Sequence, residues 1–229
     1  MELIIIAIVT IILVIILGYL FSYNMKKIKQ IADDKELDKL AEKYPGNIEL
    51  CEAYLEKLGN NTVKIEENKE TEVSLYIAIT NKILIANISH TYSRIQTIAH
   101  ECLHSMQDRK ILIFNFIFSN IYLVYFAIIC ISAIFKVLSN ELMFLNIYLL
   151  LSMVYYLLRV YLENDAMIKA KYLAKEYMEE QKISTDVEIN KFVNKFDKIN
   201  DIGIKCINYN FFLNIMIKLL IFILICIIR

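Results

Sequence analysis

Long apolar runs alternate with polar segments along the chain, and four of the runs are long enough to cross a bilayer as helices, which takes ~20 residues each. They are Leu3 to Phe21, Ile111 to Phe135, Leu142 to Leu158 and Ile207 to Ile228. The third is short but free of charge, and the fourth carries one lysine, Lys218. Only Glu2 stands ahead of the first run, and no small-residue cleavage site follows it, so residues 1–22 read as a retained signal anchor.

The polar segments carry other periods. Asp33 to Lys43 and Asn47 to Leu58 read as two short helices, broken at Tyr44-Pro45-Gly46. "TVKIEE" (62–67), "VSLYIAIT" (73–80) and "KILIANI" (82–88) are rich in β-branched residues with partial alternation. They predict strands of a small sheet, with a turn at Thr80-Asn81 and with "KILIANI" offering an open edge. A helix is expected from Thr91, running nearly unbroken into the second apolar run. Segment 159–206 reads as charged helix with breaks near Ser184-Thr185-Asp186 and near Gly203.

The pattern gives a multi-pass α-helical membrane protein of four spans with a small cytoplasmic α+β domain. The parts are the anchor (1–22), an α+β segment (23–110), a transmembrane hairpin (111–158), a helical segment (159–206) and a last span (207–229). Residues 23–110 hold 13 lysines and arginines and residues 159–206 hold 9, whereas the turn at 136–141 holds only Lys136. The positive-inside rule then puts both long polar segments in the cytoplasm and both termini outside.

Composition narrows the partners. Of the 229 residues 58% are hydrophobic, which suits a lipid bilayer as surroundings. The 25 basic and 25 acidic residues balance, and no basic patch interleaved with aromatics points to nucleic acid. Five scattered cysteines, an odd number, suggest no disulfide framework.

Chemistry concentrates in "TIAHECLHSMQ", Thr97 to Gln107, where His100, Glu101 and His104 spell HExxH and use two of the chain's three histidines. Four residues apart on a helix, His100 and His104 share a face and can reach one zinc ion. Glu101 is placed to take a proton from water as general base. Cys102, two positions on from His100, reads as a packed thiol. A catalytic zinc needs a third protein ligand. The remaining histidine, His90, reads as a polar residue at a strand end. Glu163, directly after the third run, is the candidate, because one transmembrane hairpin returns the chain to the membrane face that carries His104. Asp165 is the alternative ligand, or a residue that orients a histidine from outside the ligand set. Glu176, Glu179 and Glu180 read as an exposed helix face. Asn115 in the second run and Asn210, Asn214 and Lys218 in the fourth are candidates for a polar cleft within the membrane.

"AHECLHSMQ", an apolar hairpin and then "ENDA" together resemble the YugP-like membrane zinc metallopeptidases, and more distantly the HtpX and CAAX prenyl endopeptidase group. His100, Glu101, His104 and Gln107 match the first family motif, HEVGHAIQ; Glu163, Asp165 and Ala166 match the second, E-F-D-A. The resemblance covers residues 47 to 175. It implies a gluzincin-type site with one Zn2+ per chain, Glu163 as third ligand and Glu101 as general base. It further implies an integral protein of the bacterial cell membrane that hydrolyses membrane or membrane-proximal protein or peptide substrates at the cytoplasmic face. Two positions depart from the pattern: Leu103, where the family has glycine, and Met167, where the HtpX-like group has an aspartate that braces a ligand. A site-2-type intramembrane protease is disfavoured, since HExxH precedes its span and no Asp-Gly occurs. A catalytically inactive relative acting as a membrane interaction protein is the alternative reading.

Overall fold

A computed structural model describes residues 1–21, 23–68, 70–71 and 73–228. The helices are α1 (Glu2–Leu20), α2 (Met25–Ala32), α3 (Lys35–Ala41), α4 (Asn47–Lys57), α5 (Arg94–Met106), α6 (Arg109–Ile134), α7 (Glu141–Gln181) and α8 (Asp186–Ile228). The strands are β1 (Lys64–Glu67), β2 (Leu75–Ile77) and β3 (Lys82–Ile85). Helices α1, α6, α7 and α8 are long and apolar enough to cross a membrane. The chain divides into two compact units, one of Met1–Tyr23, Phe114–Tyr161 and Lys205–Arg229, the other of Asn24–Ile113 and Leu162–Ile204.

The first unit is apolar outside as well as inside. Along α1 only Thr10 is buried, its hydroxyl bonded back to the Ile6 carbonyl at 2.7 Å. Phe114, Ile117, Ile121, Val124, Ile128 and Ile131 are all exposed on α6. A continuous apolar surface of this kind is far larger than a water-facing protein carries. Inside, Tyr122, Leu145, Tyr148, Leu219 and Phe222 form a packed cluster. Gly18 is required where α1 meets α8: a Cβ there would lie 2.8 Å from the Tyr209 hydroxyl oxygen, which donates to the Val14 carbonyl.

The second unit wraps a core around α5. The sheet has the order β1-β3-β2, with β1 parallel and β2 antiparallel to β3. Ile83 and Ile85 are fully buried while Lys82 and Leu84 are partly exposed, the period-2 pattern of a half-buried strand. Asn81 takes a positive φ of 51° in the turn between β2 and β3. Asparagine tolerates that conformation better than most residues, and here its side chain is held from both sides, accepting from the Tyr76 hydroxyl at 2.9 Å and donating to the Thr62 carbonyl at 3.1 Å.

Two expectations need correction, and two further features sharpen the picture. "KILIANI" is no open edge: β3 is the central strand, paired on both sides, and the edges are β1 and β2. The HExxH helix and the next apolar helix are nearly continuous, as expected, with two residues between them. The first ends at Met106, and Gln107 is extended at ψ 154° before α6 begins at Arg109. The chain does not break at Gly203, which lies inside α8. A Cβ at that position would sit 3.0 Å from the Met167 Cε, so the glycine makes room for Met167 rather than ending the helix. Finally, 25–32 forms a helix that residue pattern alone did not mark, started by the Asn24 side chain accepting from Lys27 N–H. The helices on either side of Pro45 and the break after Gln181 lie where the sequence predicts them.

Arg94, at the start of α5, ties this unit together. Its buried guanidinium donates to the carbonyls of Pro45 (2.7 Å), Ala41 (2.8 Å) and Tyr44 (3.0 Å). Those carbonyls lie at the end of α3 and in the turn that follows; Ala41 also accepts from Tyr44 N–H at 3.1 Å, and the arginine supplies donors to all three.

Candidate metal centre

Helix α5 turns one face to the core and the next to the site. Ile95, Ile98, Ala99 and Cys102, at i, i+3, i+4 and i+7, are fully buried. His100 and His104 stand on the neighbouring face, four residues apart. Opposite them, Ala166, Ala170 and Ala174 of α7 are fully buried with hardly any side chain. Small residues at that spacing let a helix backbone come close, and Glu163 lies at the same end of this stretch of α7.

The three side chains converge. His100 Nε2 and His104 Nε2 are 3.0 Å apart, and Glu163 Oε2 is 3.5 Å from the first and 3.6 Å from the second. Tetrahedral zinc with bonds of about 2.0–2.1 Å separates its ligand atoms by about 3.3–3.4 Å. The observed triangle has that size. These side chains are 13–18% exposed, so the group is neither sealed nor open to bulk water. Among the described residues, His100, His104 and Glu163 are the one group placed to hold a metal ion.

The histidine tautomer supports the same use. Gln107 Nε2 donates to the Leu162 carbonyl at 2.7 Å, with Asp165 Oδ2 a further 3.4 Å contact. That fixes the amide so that Gln107 Oε1 faces His104 Nδ1, at 2.9 Å, and accepts its proton. A flipped amide would set its oxygen against a carbonyl and a carboxylate. The unprotonated nitrogen of neutral His104 is therefore Nε2, the atom that points into the triangle. Gln107 can do this because α5 ends just before it; continued helix would carry the side chain elsewhere.

Charge in the site follows from burial. Burial lowers the His100 pKa against the pull of Glu163 and the Ala166 backbone. For His104, burial works the same way, but Glu163, Glu101 and Gln107 outweigh it and the value is raised. Burial pushes Glu101 up to about 8; Glu163 adds to this, and His104 and the Tyr76 backbone oppose it. Tyr76 belongs to β2, so the general-base candidate lies beside an edge strand. Asp165 is also desolvated, yet Lys169 and Gln107 hold its carboxyl below the usual range. Its Oδ1 accepts from Lys169 at 2.6 Å. Asp165 thus lies outside the triangle and reaches His104 only through Gln107.

Other predicted residues fall as follows. His90 is exposed in a turn after β3, apart from the triangle. Cys102 is buried, with its sulfur 3.5 Å from that of Cys51 on α4. Glu176, Glu179 and Glu180 are exposed and paired with Lys57 or Lys175. Asn115 has a buried Oδ1 without a hydrogen-bond partner among the described residues. Asn214 accepts from Lys218 at 2.7 Å, and Asn210 is exposed one turn earlier. Sequence pattern did not mark Gln107 as the partner of His104, Tyr76 as the neighbour of Glu101, or Arg94 as a core cation. Gln107 alone carried a signal, as the last residue of the motif match.

No family model, curated protein or solved structure matches the chain.

Proposed function

We propose that the chain is an integral membrane zinc metallopeptidase that hydrolyses peptide bonds of membrane or membrane-proximal proteins at the cytoplasmic face. The observation that carries this reading is the triangle of His100 Nε2, His104 Nε2 and Glu163 Oε2, whose edges match the ligand spacing of tetrahedral zinc, with a buried carboxylate next to it. When bound, zinc supplies Lewis-acid chemistry to water and to a carbonyl.

The chain's own groups do the rest. Glu101 takes a proton from the attacking water, whose oxygen bonds to the carbonyl carbon. It then delivers the proton to the departing amine as the C–N bond breaks. Burial pushes the Glu101 carboxyl up in the metal-free site, and a divalent cation held beside it would oppose that shift and keep it a carboxylate able to accept the proton. Gln107 holds His104 in the tautomer that leaves Nε2 free. The outer edge of β2, with Tyr76 beside Glu101, offers N–H and C=O groups to an extended substrate strand. The exposed apolar surfaces of α1 and α6 support a place in the bilayer.

Glu101→Gln tests the mechanism. Purified wild type in detergent should cleave an unfolded membrane-protein substrate, and the variant should lose ~10²–10⁴-fold in turnover while keeping its metal. Equal turnover in both would remove Glu101 from the reaction. Metal binding with no hydrolysis by wild type would favour the inactive relative.

A further inference from the structure

Within the first unit, two sets of polar side chains contrast. Tyr122, Tyr148 and Ser152 satisfy one another. The tyrosine hydroxyls are 2.6 Å apart, Tyr148 donates to the Ile215 carbonyl at 3.0 Å, and Ser152 donates to the Tyr148 carbonyl at 2.7 Å. That network is buried and closed. Lys218 is not closed. Its ammonium has three donors, and among the described residues Asn214 is its only hydrogen-bond partner. It also lies 5.0 Å from the Tyr122 ring centroid, which offers a cation–π contact but no acceptor.

The surface around it is open. Asn210, Asn214, Ile217, Ile221 and Leu224 are exposed on α8 and recur at intervals of four and three residues. That is one continuous helix face of the kind a second helix packs along. Lys218 borders this stripe near its middle. It lies ten residues from Ile228 and eleven from Ile207, about 15 Å along the axis from either end of the apolar run. A four-carbon lysine stem cannot cover that distance to reach water. A lysine at such depth is costly, and of the partners that lower the cost an anionic group does so most.

The chain cannot supply that group. None of its aspartates or glutamates lies in 3–21, 111–135, 142–158 or 207–228, so a second copy brings no carboxylate to this depth. Lipid phosphates stay at the interface, as far away as the ends of the run. We infer that the Asn210–Asn214–Lys218 face of α8 docks a transmembrane helix of another protein that carries an aspartate or glutamate near mid-bilayer. The carboxylate meets Lys218, and the two asparagines bond polar groups of the same helix toward the end near Ile207. This inference rests on the bilayer reading of the four helices and not on the peptidase reading.

The test uses the full chain in phosphatidylcholine vesicles and synthetic polyleucine transmembrane peptides, identical except for Asp, Asn or Leu at the central position. Association is read by energy transfer from labelled protein to labelled peptide. The Asp peptide should bind about tenfold more tightly than the Leu peptide, the size expected for a strong interhelical polar contact. Lys218→Leu should abolish the difference while leaving Leu-peptide binding unchanged. Equal binding of all three peptides to wild type would overturn the inference, as would an Asp preference that survives Lys218→Leu. Energy transfer between protein copies that is lost in Lys218→Leu would assign the face to self-association instead. Release of the protein from vesicles by alkaline carbonate would refute the bilayer reading itself. Loss of hydrolysis in Glu101→Gln has no bearing on either result.

Discussion

Gln107 Oε1 accepts the Nδ1 proton of His104 at 2.9 Å, and this single contact decides which nitrogen of the histidine is free to bind metal. The amide is itself held by the Leu162 carbonyl. Gln107→Ala should therefore leave the three ligands in place but release the His104 ring. Partners of this kind are worth ~10–100-fold in metal affinity. Zinc competition against a chromophoric chelator measures the loss, and unchanged affinity would show that α5 alone orients the ring.

Asp34 links charge to stability outside the site. Its side chain caps α3 by accepting from Leu37 N–H at 3.2 Å and pairs with Lys195 of α8 at 2.7 Å. The hydrogen bond from Lys195, aided by Leu37, holds its carboxyl below the usual aspartate range against partial burial. A depressed folded value means that the contribution is full above the unfolded pKa and fades as pH falls through the folded one. Asp34→Ala should cost about 1 kcal/mol at neutral pH. Wild type and variant should converge as the pH is lowered through and below the ordinary aspartate range, read from thermal melts in detergent.

Gly203 and Met167 form a third testable pair. The glycine sits inside a helix, where it costs roughly 0.5–1 kcal/mol relative to alanine. A Cβ there would lie 3.0 Å from Met167 Cε, so the methionine end would have to shift to admit it. In a Met167→Ala background, Gly203→Ala should therefore stabilise by up to about that amount; in the wild-type background the gain should be reduced or reversed. Equal gains in both would mean that Met167 is not what excludes a side chain there.

Much of the fold was legible because it rests on strong periodic signals. The apolar runs, the Pro45 break and the alternation in Ile83–Ile85 each arise from local chemistry that tertiary contacts did not override. The misreadings share a different cause. Gly203 reads as a breaker because glycine usually is one, whereas its surroundings are set by Met167, thirty-six residues away in sequence. The edge assigned to "KILIANI" failed because strand order depends on non-local pairing, which no single strand encodes. The two-residue stop between Met106 and Arg109 has no mark in "SMQDRK" so plain as a proline or glycine would be. In the site, His100 and His104 were readable from their spacing, and Glu163 from the return of the chain through a hairpin. Gln107 is marked only as a motif residue and Tyr76 not at all, since each acts through a contact made only once the helix has ended and the sheet has formed.

If His100, His104 and Glu163 together hold one metal ion, metal analysis of the purified chain reveals it. Protein loaded with zinc and passed through a desalting column should retain about one equivalent per chain. Glu163→Ala and His104→Ala should each lose it, and Asp165→Ala should keep most of it. Wild type that retains no metal, or a Glu163→Ala variant that retains the full equivalent, would contradict the account.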